Sequence, residues 1–128
     1  MSQATQALSS PLFDALSDIA FSSVMVTRAT DDQGASEIVH VNPQFTELTG
    51  YQVDDVLGKT PGLLQGPKTE QDVLDRLRDD LHNDRAFHGR TINYRKDGSE
   101  FEIEWKVKRV IDIDGETYYI AVQRNASG

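Results

Sequence analysis

The sequence predicts an α+β fold: a five-stranded antiparallel sheet with helices on one face and an N-terminal helix as a cap. Three observations predict it. Strand-like segments come as a pair and then, after three helical segments, as a triplet, giving the order β-β-α-α-α-β-β-β. The middle member of the triplet alternates strictly, with Phe101, Ile103, Trp105 and Val107 on one face and Glu102, Glu104, Lys106 and Lys108 on the other. The triplet is joined by Lys96-Asp97-Gly98 and Asp112-Ile113-Asp114-Gly115, whose aspartate-glycine chemistry suits hairpin turns.

The elements follow in order. Residues 1–10 are small and polar and read as a flexible N-terminus, leaving 11–126 as the ordered domain. Pro11 suits the first turn of a helix with Ser10 as its N-cap, and Leu12, Phe13, Leu16 and Ile19 give that helix an apolar stripe. Val24 to Arg28 and Glu37 to Val41 read as strands around a turn carrying Asp31, Asp32 and Gly34. Asn42-Pro43 then starts a helix, Phe45 and Leu48 share its face, and Gly50 stops it. A short helix around Val53 to Leu57 ends at Gly58. The stretch Thr60 to Lys68, with two prolines and two glycines, reads as a loop. Thr69 is placed as the cap of a longer helix bearing Val73, Leu74, Leu77 and Leu81 on one side. Ala86 to Arg95, Glu100 to Ile111 and Glu116 to Arg124 form the closing meander.

A length of 128 residues suits one domain with a core of its own, and 38% hydrophobic and 27% charged residues are ordinary for a folded chain. No apolar run approaches the roughly 20 residues of a membrane helix, and the start MSQATQALSS lacks the pattern of a signal peptide. A cytoplasmic location without membrane partners is therefore expected. The net charge of −8 points away from nucleic acid. The absence of cysteine excludes disulfides, thiolate metal sites and cysteine nucleophiles. His40, His82 and His88 are scattered without metal-ligand spacing, and no Ser-His-acid set or glycine-rich phosphate loop stands out, so no enzyme and no metal site are expected.

Strand alternation also sorts the remaining side chains. If Asn93 and Gln123 point inward, then Ile92, Tyr94, Tyr118, Ile120 and Val122 form an apolar patch on the outer face. Either a second copy of the chain covers it, with Leu12 and Leu16 of the first helix joining a homodimer interface, or residues 10–20 cap it within one chain. Two inward amides beside Thr91 and Ala121 suggest a polar-edged cavity, or bond to each other or to loop backbone.

The segments VNPQFTELTGYQVDDVLGK, NYRKDGSEFE and YYIAVQR resemble the centre and closing hairpins of PAS domains, over roughly residues 12–126. GKTPGLLQG, residues 58–66, lies where light-oxygen-voltage (LOV) domains carry glycine-x-asparagine-cysteine-arginine-phenylalanine-leucine-glutamine. The resemblance implies a PAS fold and a non-covalently bound flavin, FMN or FAD. Gln65 then matches the glutamine that holds the ribityl chain, Arg78 the arginine on the phosphate, Asn93 an asparagine on the pyrimidine edge, and Gln123 the final-strand glutamine beside the reactive nitrogen. This chain departs from the pattern at four places. Pro61 stands at the photoactive cysteine, Thr60 at the adjacent asparagine, Gly62 at the second phosphate arginine and Ile103 at the second pyrimidine asparagine. A cysteinyl adduct is thereby impossible. The loop and hairpins also resemble cysteine-free PAS domains of nitrogen-fixation regulators, which bind FAD as redox sensors, and PAS domains of diguanylate cyclases and histidine kinases with no established ligand. Tyr94, Trp105, Tyr118 and Tyr119 are candidate electron donors to a flavin, or simply core. The implied function is a dimeric sensor of redox state or blue light, relaying to an effector of kinase or diguanylate cyclase type. The alternative is a ligand-free dimerisation module.

Overall fold

The computed structural model describes residues 10–31 and 35–127. Among them the order is α1 (Pro11–Ile19), β1 (Ser23–Ala29), β2 (Ser36–Val41), α2 (Pro43–Thr49), α3 (Val53–Val56), a 3₁₀ turn (Pro61–Leu64), α4 (Gln71–His82), β3 (Phe87–Tyr94), β4 (Glu100–Ile111) and β5 (Thr117–Asn125). The five strands form one antiparallel sheet in the spatial order β2-β1-β5-β4-β3. The expected fold is the observed one. Asp32 and Gly34, expected in the first turn, lie outside the described residues, as do residues 1–9 of the expected N-terminal segment.

Alternation gives the sheet two unlike faces. On the inner face Met25, Ile38, Val41, Phe87, Phe101, Ile103, Trp105, Val107 and Ala121 pack with Phe45, Val56 and Leu64 from the helices, and Val73, Leu77 and Leu81 of α4 close over them. On the outer face a smaller cluster of Val24, Val26 and Tyr118 packs against Phe13 and Ala20, which puts α1 over the β1–β5 pair. β1 is therefore buried on both sides, which explains its nearly continuous apolar run. Opposite Val26 and Thr27 of β1, β2 carries one extra residue, Val39, so the pairing shifts from His40 to Ile38. This bulge lets Ile38 and Val41 both face inward while Val39 joins the outer cluster.

Three local expectations differ from the structure. The stripe Leu12, Leu16 and Ile19 faces solvent at 67–85% exposure, whereas Phe13 and Ser17 face the sheet. The helix is thus anchored along a polar-containing stripe that hydrophobic periodicity does not flag. Ser10 does stand at the expected N-cap position, where its carbonyl accepts from the Asp14 N–H, although its side chain makes no capping bond. Thr69 is not the cap of α4, a place taken by Glu70; its hydroxyl instead bonds the Ile92 carbonyl of the edge strand. The loop around Pro61 tightens into a 3₁₀ turn because Pro61 presets φ and Leu64 is drawn into the core.

Candidate functional site: the inner face of the sheet and the loop that crosses it

The segment from Gly58 to Glu70 spans the helical face from one sheet edge to the other. At the β2 edge, Gly58 N–H donates to the Ile38 carbonyl and Ile38 N–H to the Lys59 carbonyl, both at 2.8 Å. At the β3 edge, Thr69 donates to the Ile92 carbonyl at 2.6 Å and Glu70 N–H donates to the Thr91 hydroxyl at 2.8 Å. The residues beneath this span are set by strand register. Asn93 pairs with Phe101, Thr91 with Ile103, Gly89 with Trp105, and Trp105 with Gln123.

Two of the expected polar residues lie on this inner face. Asn93 is 8% exposed, and its amide has no hydrogen-bond partner among the described residues. No fully buried side-chain nitrogen or oxygen among the described residues lacks a partner, so this amide meets solvent where it is not covered and is open to a ligand there. Gln123 is 3% exposed; its Oε1 accepts from the Ser23 hydroxyl at 2.9 Å and its nitrogen has no protein partner. A shallow groove of about 220 Å³ between Phe21, Ser23, Gln44, Glu47 and Leu48 reaches Gln123 from outside. Ile103, where the resembled pattern has an asparagine, is 1% exposed and belongs to the core.

The other expected residues sit apart. Gln65 is exposed at the end of the 3₁₀ turn, Thr60 is exposed just before it, and Pro61 opens it half-buried. Arg78 is exposed and pairs with Asp75 on its own helix at 2.9 Å. The arginine that meets the sheet is Arg76, which stacks 4.7 Å over the Phe87 ring and donates to the His88 carbonyl. The family resemblance matches Arg78, two residues on, and leaves Arg76 unmarked. Its only sequence signal is its place one turn from Val73 on the flank of the apolar side.

The outer face narrows the expected dimer patch. Tyr118 is 3% exposed and donates to the Asp114 carboxylate at 2.9 Å, and burial holds its phenol up at about 12. Tyr94 is engaged within the chain, its ring against Gly66 and its hydroxyl accepting from Lys68 N–H at 3.0 Å. Neither tyrosine offers a free apolar surface. Ile92 and Ile120 are half-buried, while Val122, Leu12 and Leu16 are exposed. Beside Val122 the sheet is charged: Glu104 accepts from His88, Arg90 and both guanidinium nitrogens of Arg124 facing it, which holds its carboxyl at about 2.

The family model for the PAS domain matches residues 22–127. This chain is a PAS domain. Its structural neighbours and several of its relatives are LOV proteins, and this chain contains no cysteine. It is 29% identical over 118 residues to a blue-light photoreceptor of Listeria monocytogenes, covering 91% of this chain and 47% of that protein. A LOV domain structure investigated with a flavin analogue superposes with a TM-score of 0.80 at 30% identity, covering 94% of this chain and 88% of the other. An RNA-binding LOV receptor superposes with a TM-score of 0.80 at 27% identity, covering 95% and 34% respectively. The chain spans between 10% and 47% of the length of the first curated relatives it matches. Because an RNA-binding receptor shares the fold, the fold does not carry the exclusion of nucleic acid expected from net charge. Among the described residues no helix is long and apolar enough to cross a membrane.

For a flavin, the inner face supplies amides at Asn93 and Gln123, while Phe87 and Trp105 pack together on the same face at 4.9 Å. The Asn93 amide and the Gln123 side-chain nitrogen have no protein partner and offer hydrogen-bonding groups of the kind a flavin's polar edge requires. Arg78 would have to leave Asp75 to reach a phosphate.

Proposed function

We propose that this PAS domain is a non-enzymatic sensory module that holds a flavin, FMN or FAD, without a covalent link. The reading is carried by the inward-facing Asn93 amide, which has no protein partner and keeps access to solvent, and the likeness to LOV photoreceptors supports it. Asn93 and Gln123 hold the polar edge of the ring, Gln65 turns inward onto the ribityl chain, and Arg78 takes the phosphate. When bound, the flavin supplies blue-light absorption and reversible one- or two-electron chemistry, and with no cysteine in the chain no thiol adduct forms. The chain's own response is a rotation of the Gln123 amide. Its Oε1 leaves the Ser23 hydroxyl, and the start of β1, together with the α1 that precedes it, loses one tie to β5. That change reaches the outer face, where a second copy binds through Leu12, Leu16 and Val122, flanked by Ile92 and Ile120. Redox state or blue light is thereby relayed to an attached effector of kinase or diguanylate cyclase type.

The test is the visible spectrum of protein purified with added FMN and, separately, FAD. A structured flavin band that survives desalting is expected, shifted in Gln123→Leu and weakened in Asn93→Ala. A featureless spectrum with both flavins overturns the reading. A second reading, a ligand-free dimerisation module, is favoured by the packing of Phe87 against Trp105 at 4.9 Å on the inner face and by the Arg78–Asp75 pair. It predicts that featureless spectrum together with an intact dimer.

A further inference from the structure

The two ends of the crossing segment are fastened by different chemistry. The β2 end is held by the backbone pairs at Ile38 and by Val56 and Leu64, both sunk in the core. The β3 end is held through side chains. Thr69 bridges the Gly66 N–H and the Ile92 carbonyl, Thr91 accepts from Glu70 N–H, Tyr94 accepts from Lys68 N–H, and an exposed ion pair links Lys68 to Glu100. Gly66 is required for this closure, since a Cβ there would stand 2.3 Å from Cε1 of Tyr94. Residues 65–70 place no side chain in the buried core, so detaching them exposes little apolar surface, whereas detaching the other end would pull Leu64 from it. The anchors Thr91, Ile92 and Tyr94 bracket Asn93, so the fastening lies over the strand position with the unmet amide.

We propose that Gly66–Glu70 is the gate through which a planar heteroaromatic ligand reaches the inner face, with Tyr94 as its latch and Thr69 as its hinge-side clasp. The gate swings from the β3 edge while the β2 end stays seated. Tyr94 acts as a positioning residue, holding the loop that presents Gln65. The assignment rests on the ligand pocket proposed above for its cargo, but the opening itself is a property of the unliganded chain.

The experiment compares the full chain with Tyr94→Phe and Thr69→Val, two changes that keep side-chain volume. Amide exchange is followed by NMR without ligand, and dissociation of FMN is followed by its fluorescence. In Tyr94→Phe the amides of Gly66 and Glu70, whose own partners are untouched, should exchange about five-fold faster for the loss of one hydrogen bond. Those of Ile103 and Val107 in β4 should not change. Thr69→Val should do the same at Lys68 and Glu70, and FMN should leave both variants faster by a similar factor. If Gly66, Lys68 and Glu70 exchange only together with β4, there is no local gate. If the gate amides speed up while FMN dissociation does not, the ligand uses another route. Should the unaltered chain retain no FMN, the flavin reading falls, and exchange at the gate amides alone decides whether the segment opens locally.

Discussion

Asn42 shows how one side chain can fix a junction. It is 1% exposed, and its amide makes four hydrogen bonds: Oδ1 accepts from Val24 N–H and Phe45 N–H, and the nitrogen donates to the carbonyls of Ser17 and Ser22. It therefore caps α2 and ties α1 and the α1–β1 connector to the sheet. Asn42→Ala leaves those backbone groups without partners and should lower stability by about 2–3 kcal/mol in urea unfolding. Loss of less than about 0.5 kcal/mol would show that water replaces the amide. Asn42-Pro43 was legible as a helix start, but its grip on α1 was not, because the partners lie 20 and 25 residues away. Glu104 makes a second prediction. His88 and Arg124 hold its folded pKa at about 2, below the ordinary 4.5. A depressed carboxyl pKa gives stability that is complete above the unfolded value and is lost as pH falls toward the folded one. Acid unfolding should therefore steepen between about pH 4.5 and 2, and Glu104→Gln should flatten that limb; an unchanged limb would place the acid response elsewhere.

At the scale of elements, α1 is the one whose attachment depends on pH. His40 stands 2.9 Å from the Ser17 hydroxyl, and its ring meets Phe13 edge-on at 5.0 Å. Burial holds its pKa below 6.5, against the opposing pull of Asp14 and Asp18. The docked helix thus prefers neutral His40. The detached state binds the proton more readily, so docking weakens as pH falls through about 6.5. Amides of Phe13 to Ser17 should exchange faster at pH 5.5 than at pH 7.5 after correction for intrinsic rates, and equal protection at both would count against a role for His40. Element existence and order were readable from alternation in β4, from the Asp-Gly turns and from proline and glycine at helix ends. The facing of α1 was not, since its buried side mixes Phe13 with Ser17 and its exposed side carries Leu12, Leu16 and Ile19. The candidate site was readable only where strand register decides it, at Asn93, Ile103 and Gln123. Gln65, Thr69 and Arg78 lie on a turn, a loop and a helix flank, whose side-chain directions depend on contacts distant in sequence.

For the molecule as a whole, the proposed self-association rests on the outer face. With Tyr94 and Tyr118 engaged, the exposed apolar side chains in and just after α1 are Leu12, Leu16, Ile19 and Phe21, and Val122 is exposed on β5. Leu16→Arg should shift sedimentation toward the monomer while leaving the melting temperature of the domain nearly unchanged, because Leu16 is 67% exposed and belongs to neither apolar cluster among the described residues. An association constant unaffected by that change would place the contact elsewhere. The sheet order has a mechanical consequence as well. β1 and β5 are neighbours running in opposite directions, so Ser23 lies opposite Gln123 and both flanking segments leave from one end of the sheet. Tension applied between those segments would load the β1–β5 hydrogen bonds one at a time, as a zipper, rather than all together in shear. A pull transmitted through its neighbours would open this domain at Gln123 first.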